Sequence, residues 1–165
     1  MDHLVNLGEF RNATLVWMSV WDILNNLNPY NYEQPLVEGF TDDYIKVINE
    51  TNFRKLIHVG NVEYKEIDSV FNNLLEDFMQ PVTQLFPELM EKFDVLLFNG
   101  NLDVITAASL TDDFIDTIKW TNINSYKNAS QKSIKINNQI VAYTKRFKRF
   151  TRATILNAGH LTPHD

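Results

Sequence analysis

Val95-Leu96-Leu97-Phe98 is an unbroken apolar run without polar alternation, closed by Asn99-Gly100 and followed by Asn101-Leu102-Asp103. A run of this kind predicts a strand buried on both faces, as in the middle of a parallel sheet. Asn99-Gly100 ends it, because Gly tolerates the backbone angles of a tight turn. Asp103 is thereby delivered just past a strand's carboxyl end, where open α/β sheets keep their ligand and catalytic crevices. Far downstream, Ala158-Gly159-His160 stands after another strand-like run. A carboxylate on one such turn and a histidine on a later one are two of the three members of a nucleophilic triad.

The rest of the chain fits an α/β reading. Ala13 to Leu27 repeats apolar residues at helical intervals and is stopped by Asn28-Pro29. Tyr30 to Gly39 reads as an irregular loop. Thr41 before Asp42-Asp43 is a helix N-cap with carboxylates at the positive helix end, a commoner role than an acid pair for chemistry. Asn52 to Val59 leads into a Gly60-Asn61 turn, and His58 beside its apolar neighbours reads as a packed histidine before a ligand or base. Glu66 to Met79 carries Val70, Phe71, Leu74, Leu75 and Phe78 as an apolar stripe. Pro81 suits a first helical position, and Val82, Leu85, Phe86, Leu89, Met90 and Phe93 follow at helical spacing, with Pro87 dividing them. All of these are core candidates.

After Asp103, Ala107 to Ile118 is the expected crossover helix, with Leu110, Phe114, Ile115 and Ile118 inward and Asp112, Asp113 and Asp116 wet. Trp120 to Ser130 is polar and Asn-rich and reads as a loop. Ser133 to Ile136, Gln139 to Phe147 and Phe150 to Leu156 read as strands, with Asn137-Asn138 as a hairpin turn. Lys145 to Arg152 interleaves basic residues with Phe147 and Phe150. That composition occurs in single-strand nucleic-acid grooves. In an acidic chain it reads instead as strands with solvated charges outward and the two Phe inward.

With 165 residues and 44% hydrophobic content the chain can bury a real core. Its net charge of −6 argues against nucleic acid and against anionic membranes as partners. No apolar run is long enough to span a bilayer, and the opening residues do not form a signal peptide. The chain has no cysteine. Three sequons, at Asn12, Asn49 and Asn128, are candidate glycosylation sites, although an Asn-rich chain produces such triplets by chance. His160 and His164 lie four apart across Pro163, with no Cys or third His near, which disfavours zinc. The five glycines are mutually isolated, so there is no phosphate loop. No metal or cofactor is expected.

Asp103 and His160 are the residues left to carry chemistry. A histidine base needs one fixed tautomer and a stabilised cation, and a buried carboxylate on its other ring nitrogen supplies both. Acid before base matches the α/β-hydrolase chain order.

The stretch Val95 to Asp103 resembles the serine carboxypeptidase pattern of apolar strand, Asn-Gly, any residue, Leu-Asp. Ala158-Gly159-His160-Leu161-Thr162-Pro163-His164-Asp165 is similar to that family's Ala-Gly-His, usually Met, Val, Pro, any residue, Asp. Trp120 and the strand around Val141-Ala142-Tyr143 fall where the family has a Trp and a Val-Ala-Gly-Tyr hairpin. Ile57-His58-Val59-Gly60-Asn61 resembles a segment of the vitellogenic-like branch. The resemblance implies the carboxy-terminal part of an α/β-hydrolase fold with a helical insertion segment. It forms a single partial domain over 1–165, with insertion and lead-in over about 1–92 and the sheet core over 93–165.

The resemblance further implies Asp103 as triad acid, His160 as general base, and hydrolytic release of the last residue of peptide or protein substrates. It also implies a lysosomal, vacuolar or secreted location. The chain departs from the family in several places. No Gly-x-Ser-x-Gly occurs around its six serines, Leu161 replaces the usual Met, and Ala142-Tyr143 lacks the intervening Gly. The nucleophile is therefore expected in a missing amino-terminal half of the same enzyme, and this chain alone is expected to be inactive. The alternative is a non-catalytic α/β-hydrolase-derived binding protein, or an inactive truncated product.

Overall fold

A computed structural model describes residues 1–24, 26–35, 43–64 and 68–165. The expected cap at Thr41-Asp42 and the beginning of the helix expected from Glu66 lie outside these residues. The chain divides into two compact units, Met1–Val16 with Leu36–Met79 and Trp17–Pro35 with Gln80–Asp165.

The first unit holds α1 (Asp2–Asn6), the opening of α2 (Phe10–Leu24), α3 (Asp43–Asn49), α4 (Thr51–Leu56) and α5 (Asp68–Leu74). Thr14 is fully buried and donates its hydroxyl to the Leu75 carbonyl at 2.8 Å. The side chain of Asn49 closes on Tyr64, accepting its N–H at 2.8 Å and donating to its carbonyl at 3.3 Å. Of the expected stripe, Leu75 is buried, whereas Val70, Leu74 and Phe78 are exposed. A short helix has few neighbours to cover a double stripe. His58 is exposed with φ 61° in the turn after α4, not packed as expected.

The second unit carries the sheet: β1 (Val95–Gly100), β2 (Gln131–Ile136), β3 (Gln139–Phe147) and β4 (Phe150–Ile155), in the order β1-β4-β3-β2. β1 runs parallel to β4, and the other pairs are antiparallel. Asn137 and Asn138 both take positive φ, as the mirror-image hairpin turn requires, and Asn pays little for that conformation. Lys148 also has positive φ, in the two-residue turn that pairs Phe147 with Phe150.

α6 (Phe86–Lys92), α7 (Ala108–Thr117) and α8 (Ile123–Lys127) complete the unit. Met90, Ile115, Ile118, Trp120, Tyr126 and Phe150 form its core, and Val95 and Leu97 pack onto it. Ring contacts link Trp120 to Tyr126, Phe147 and Phe150 at centroid distances of 6.5, 6.2 and 6.0 Å.

Four expectations are corrected here. β1 is not buried on both faces: Leu96 is 56% and Phe98 48% exposed, because among the described residues only its Val95–Leu97 face is covered. Pro81 does not open a helix. A 3₁₀ turn occupies Thr83–Leu85, and Pro87 enters the first turn of α6, where its missing N–H costs nothing. Val82, Leu85, Leu89 and Phe93 are exposed, and so is Leu110, which lies across α7 from buried Ile115. Trp120 to Ser130 is not all loop, since α8 forms there and buries Tyr126.

Candidate active site

Gly100 ends β1 at a point of close approach. A Cβ there would collide with the Ala158 carbonyl, so the residue must be Gly for the two loops to meet. The loops are then sewn together. Asn101 and Leu102 donate their N–H groups to the carbonyls of Ile155 and Ala158, both at 2.9 Å, and Asn157 N–H donates to Asn101 Oδ1 at 2.7 Å. Parallel pairing of β1 with β4 brings the ends of both strands to this one place.

Asp103 follows directly, with its side chain 2% exposed. Its Oδ1 accepts the Thr106 N–H at 3.0 Å, and its Oδ2 accepts the Thr106 hydroxyl at 2.7 Å. Thr106 is itself tied to β1, because its carbonyl accepts from Asn99 Nδ2 at 2.9 Å. Buried polar groups need such partners, and this carboxylate has them on both oxygens.

The His160 loop is held from the other side by Pro29–Tyr32, which the sequence presents only as an irregular loop. Tyr30 carbonyl accepts the His160 N–H at 2.6 Å, Pro29 carbonyl accepts from Val104, and Tyr32 N–H donates to Leu102. A Cβ at Gly159 would meet the Tyr30 carbonyl, so this strap demands Gly at 159 as the Ala158 carbonyl demands it at 100. Asp165, with its side chain 7% exposed, accepts the Gly159 N–H at 2.6 Å and Asn31 Nδ2 at 3.4 Å and pairs with His164 Nδ1 at 3.3 Å. The Gly159 amide foremost, then the His164 and Asn31 contacts, hold the Asp165 carboxyl below its ordinary value.

These loops bring the two sequence candidates together. His160 Nδ1 lies 3.1 Å from Asp103 Oδ2, within the range expected of an acid and its base, and the imidazole is 31% exposed. The Tyr30 ring stands 5.8 Å from the His160 ring. A buried carboxylate on Nδ1 favours the tautomer that leaves Nε2 bare, and it stabilises the cation formed when Nε2 takes a proton. The arrangement suits a base that activates a hydroxyl nucleophile.

The other candidates lie elsewhere. Among the described residues no group of three or more His, Cys, Asp or Glu could hold a metal. In the basic stretch, Phe150 is buried and Phe147 packs on the core as expected, and Arg146 and Arg149 face Asp94. Arg152 departs from the expectation that all its charges face water. Strand alternation puts it on the same face as Phe150, where it is 5% exposed and donates through Nε to Asp112 Oδ1 at 2.8 Å. It also donates to the Ala108 and Ala153 carbonyls. Of the sequon asparagines, Asn12 and Asn128 are exposed and Asn49 is half-buried.

The serine carboxypeptidase family model matches residues 21–165. The chain belongs to the serine carboxypeptidase family. It is 32% identical to the venom serine carboxypeptidase of Apis mellifera, covering 82% of this chain and 30% of that protein. It is 31% identical to the vitellogenic carboxypeptidase of Aedes aegypti over the same shares, and 27% identical to the probable serine carboxypeptidase CPVL of Mus musculus over 100% of this chain and 34% of that protein. The chain thus spans about a third of the length of these relatives. A prohormone-processing carboxypeptidase from Saccharomyces cerevisiae superposes with a TM-score of 0.65 at 23% identity, over 83% of this chain and 33% of that one. The fold is accordingly the carboxy-terminal part of an α/β-hydrolase, with its helical segment ahead of the sheet.

Sequence reasoning passed over Thr106, Tyr30, Asn31 and the role of Asp165. Thr three residues after an Asp is a readable turn pattern, since a short polar side chain reaches the backbone N–H ahead of it. Nothing local marks Tyr30, which meets His160 only through the fold.

Proposed function

We propose that Asp103 and His160 are the acid and general base of a Ser-Asp-His triad that removes the last residue of peptides, with the serine supplied by sequence outside this chain. The observation that carries this reading is the 3.1 Å approach of His160 Nδ1 to the buried Asp103 carboxylate. In the reaction, His160 Nε2 takes the serine proton as the hydroxyl attacks the scissile carbonyl. The same nitrogen then protonates the departing amino acid, and later activates the water that clears the acyl-enzyme. Asp103 stays ionised and holds the ring. No cofactor takes part. The substrates are the C-termini of peptides and proteins, and the chain needs its amino-terminal partner half to turn over.

The location that goes with this reading is lysosomal or secreted, and there the sequons matter. Asn128 with Ser130 lies exposed just after α8 and is the open acceptor. The Asn49 amide is already engaged by Tyr64, and the Thr14 of the Asn12 sequon is buried inside α2.

The test is hydrolysis of an N-acylated dipeptide. The purified 165-residue chain should release no amino acid, and the same chain preceded by its upstream coding sequence should release one. Turnover by the chain alone would overturn the reading.

A further inference from the structure

We infer that Thr106 is a positioning residue of the acid–base pair, a hydroxyl that divides the His160 Nδ1 proton with Asp103 and so locks the ring in its basic tautomer. The inference rests on the reading of Asp103 and His160 as acid and base. Thr106 contacts both of them. Its hydroxyl donates to Asp103 Oδ2 at 2.7 Å, and its oxygen lies 3.3 Å from His160 Nδ1. His160 Nδ1 in turn lies 3.1 Å from the same Oδ2. The three polar atoms form a triangle.

Proton accounting fixes the roles within it. A threonine hydroxyl has one proton and two acceptor lone pairs. With that proton given to Oδ2, the oxygen facing Nδ1 can only accept. Two acceptors then face one ring nitrogen, and the arrangement is satisfied when Nδ1 carries hydrogen, shared between Oδ2 and Oγ1 as a three-centre bond. Nε2 is left as the bare nitrogen. The opposite tautomer would set a ring lone pair against two oxygens.

Thr106 also fixes the acid. Its N–H holds Oδ1 at 3.0 Å while its hydroxyl holds Oδ2, so the carboxylate cannot rotate away from the ring. Asn99 Nδ2, on the Thr106 carbonyl, anchors this clamp to β1. The residue is exposed on its outer side, so changing its hydroxyl to a methyl opens no cavity.

The experiment uses the full 165-residue chain, ¹⁵N-labelled, with three variants: T106V, T106S and D103N. The readouts are the His160 ring nitrogen shifts, which report the tautomer, and the solvent exchange of the Nδ1 proton. Wild type and T106S should show a protonated Nδ1 exchanging slowly. T106V should mix the tautomers and speed exchange about tenfold, the factor expected when one hydrogen bond to a charged group is lost. T106V with wild-type shifts and exchange would overturn the inference, as would a T106S that behaves like T106V. Were T106V not to fold, T106A read against T106S makes the same comparison. D103N separates this inference from the reading beneath it. If D103N leaves the Nδ1 signal unchanged, the acid–base pair itself fails. If D103N abolishes the signal and T106V does not alter it, only the role of Thr106 fails.

Discussion

Asp103 and His160 stand 57 positions apart in sequence, and their side chains meet at 3.1 Å. The meeting depends on backbone, because each loop passes through a glycine with no room for a side chain. At Gly100 the obstacle is the Ala158 carbonyl, and at Gly159 it is the Tyr30 carbonyl. Both obstacles are backbone atoms, which cannot swing aside as the tip of a side chain does.

Gly100→Ala and Gly159→Ala are therefore each expected to destabilise the second unit, by on the order of 3 kcal/mol, near the upper end for overpacking. Urea denaturation followed by tryptophan fluorescence measures this. Ala at Gly60, where φ is positive and no atom lies near, should cost only about 1 kcal/mol from backbone strain. Equal losses at all three positions would contradict the close-approach account.

Asp165 makes the loop's pH dependence predictable. Its carboxyl is held low by the Gly159 amide, so its folded value lies below its unfolded one. The stability it contributes is thus complete above the ordinary carboxylate range and is lost as the pH falls through the lowered value. The Gly159 amide resonance should stay in place through mildly acidic conditions and move only below the ordinary carboxyl range. Asp165→Asn should abolish that acid transition. It should also loosen the His160 loop at pH values above the ordinary carboxyl range, read as faster amide exchange at Gly159.

At the alkaline end the relevant group is Tyr126. Burial, and then the charge of Asp112, raise its phenol from 10.0 to about 12. The folded value is the higher one, so its stabilisation is intact below pH 10 and drains away as the pH rises towards 12. Phenolate absorbance during alkaline titration should show a late-ionising component, and Tyr126→Phe should remove it.

Glycosylation gives a test of the sequon geometry. Expressed in a secretory host as part of the complete protein, Asn128 should carry glycan, and Asn128→Gln should remove it as a mass shift. A glycan on Asn49 in the folded protein would contradict the engagement of that amide by Tyr64.

Much of the second unit was legible in the sequence. Apolar periodicity found β3 at its observed bounds, and Asn137-Asn138 gave the hairpin, because local backbone preference settles a two-residue turn. That Asp103 and His160 would meet was legible, because both follow strands and the motifs around them occur in that order. What the sequence hid was tertiary. The one-sided exposure of Leu96 and Phe98 depends on which face of the sheet is covered, and strand alternation alone does not reveal that Arg152 has Asp112 opposite it. The strap works mainly through the Pro29 and Tyr30 carbonyls and the Tyr32 N–H, which any residue in a loop could supply, with the Asn31 side chain added on Asp165. Pro87 divides the row of apolar residues as expected, with a 3₁₀ turn ending before it and α6 opening around it, whereas Pro81 opens no helix.

The most direct test is steady-state hydrolysis of an N-acylated dipeptide by the complete protein, comparing wild type with His160→Ala and Asp103→Asn. The account predicts a fall in kcat of about 10⁴-fold for each, the loss typical when a triad base or its orienting acid is removed. The double variant should be little worse than either single one, because the two act as a unit. Undiminished turnover by His160→Ala would contradict it.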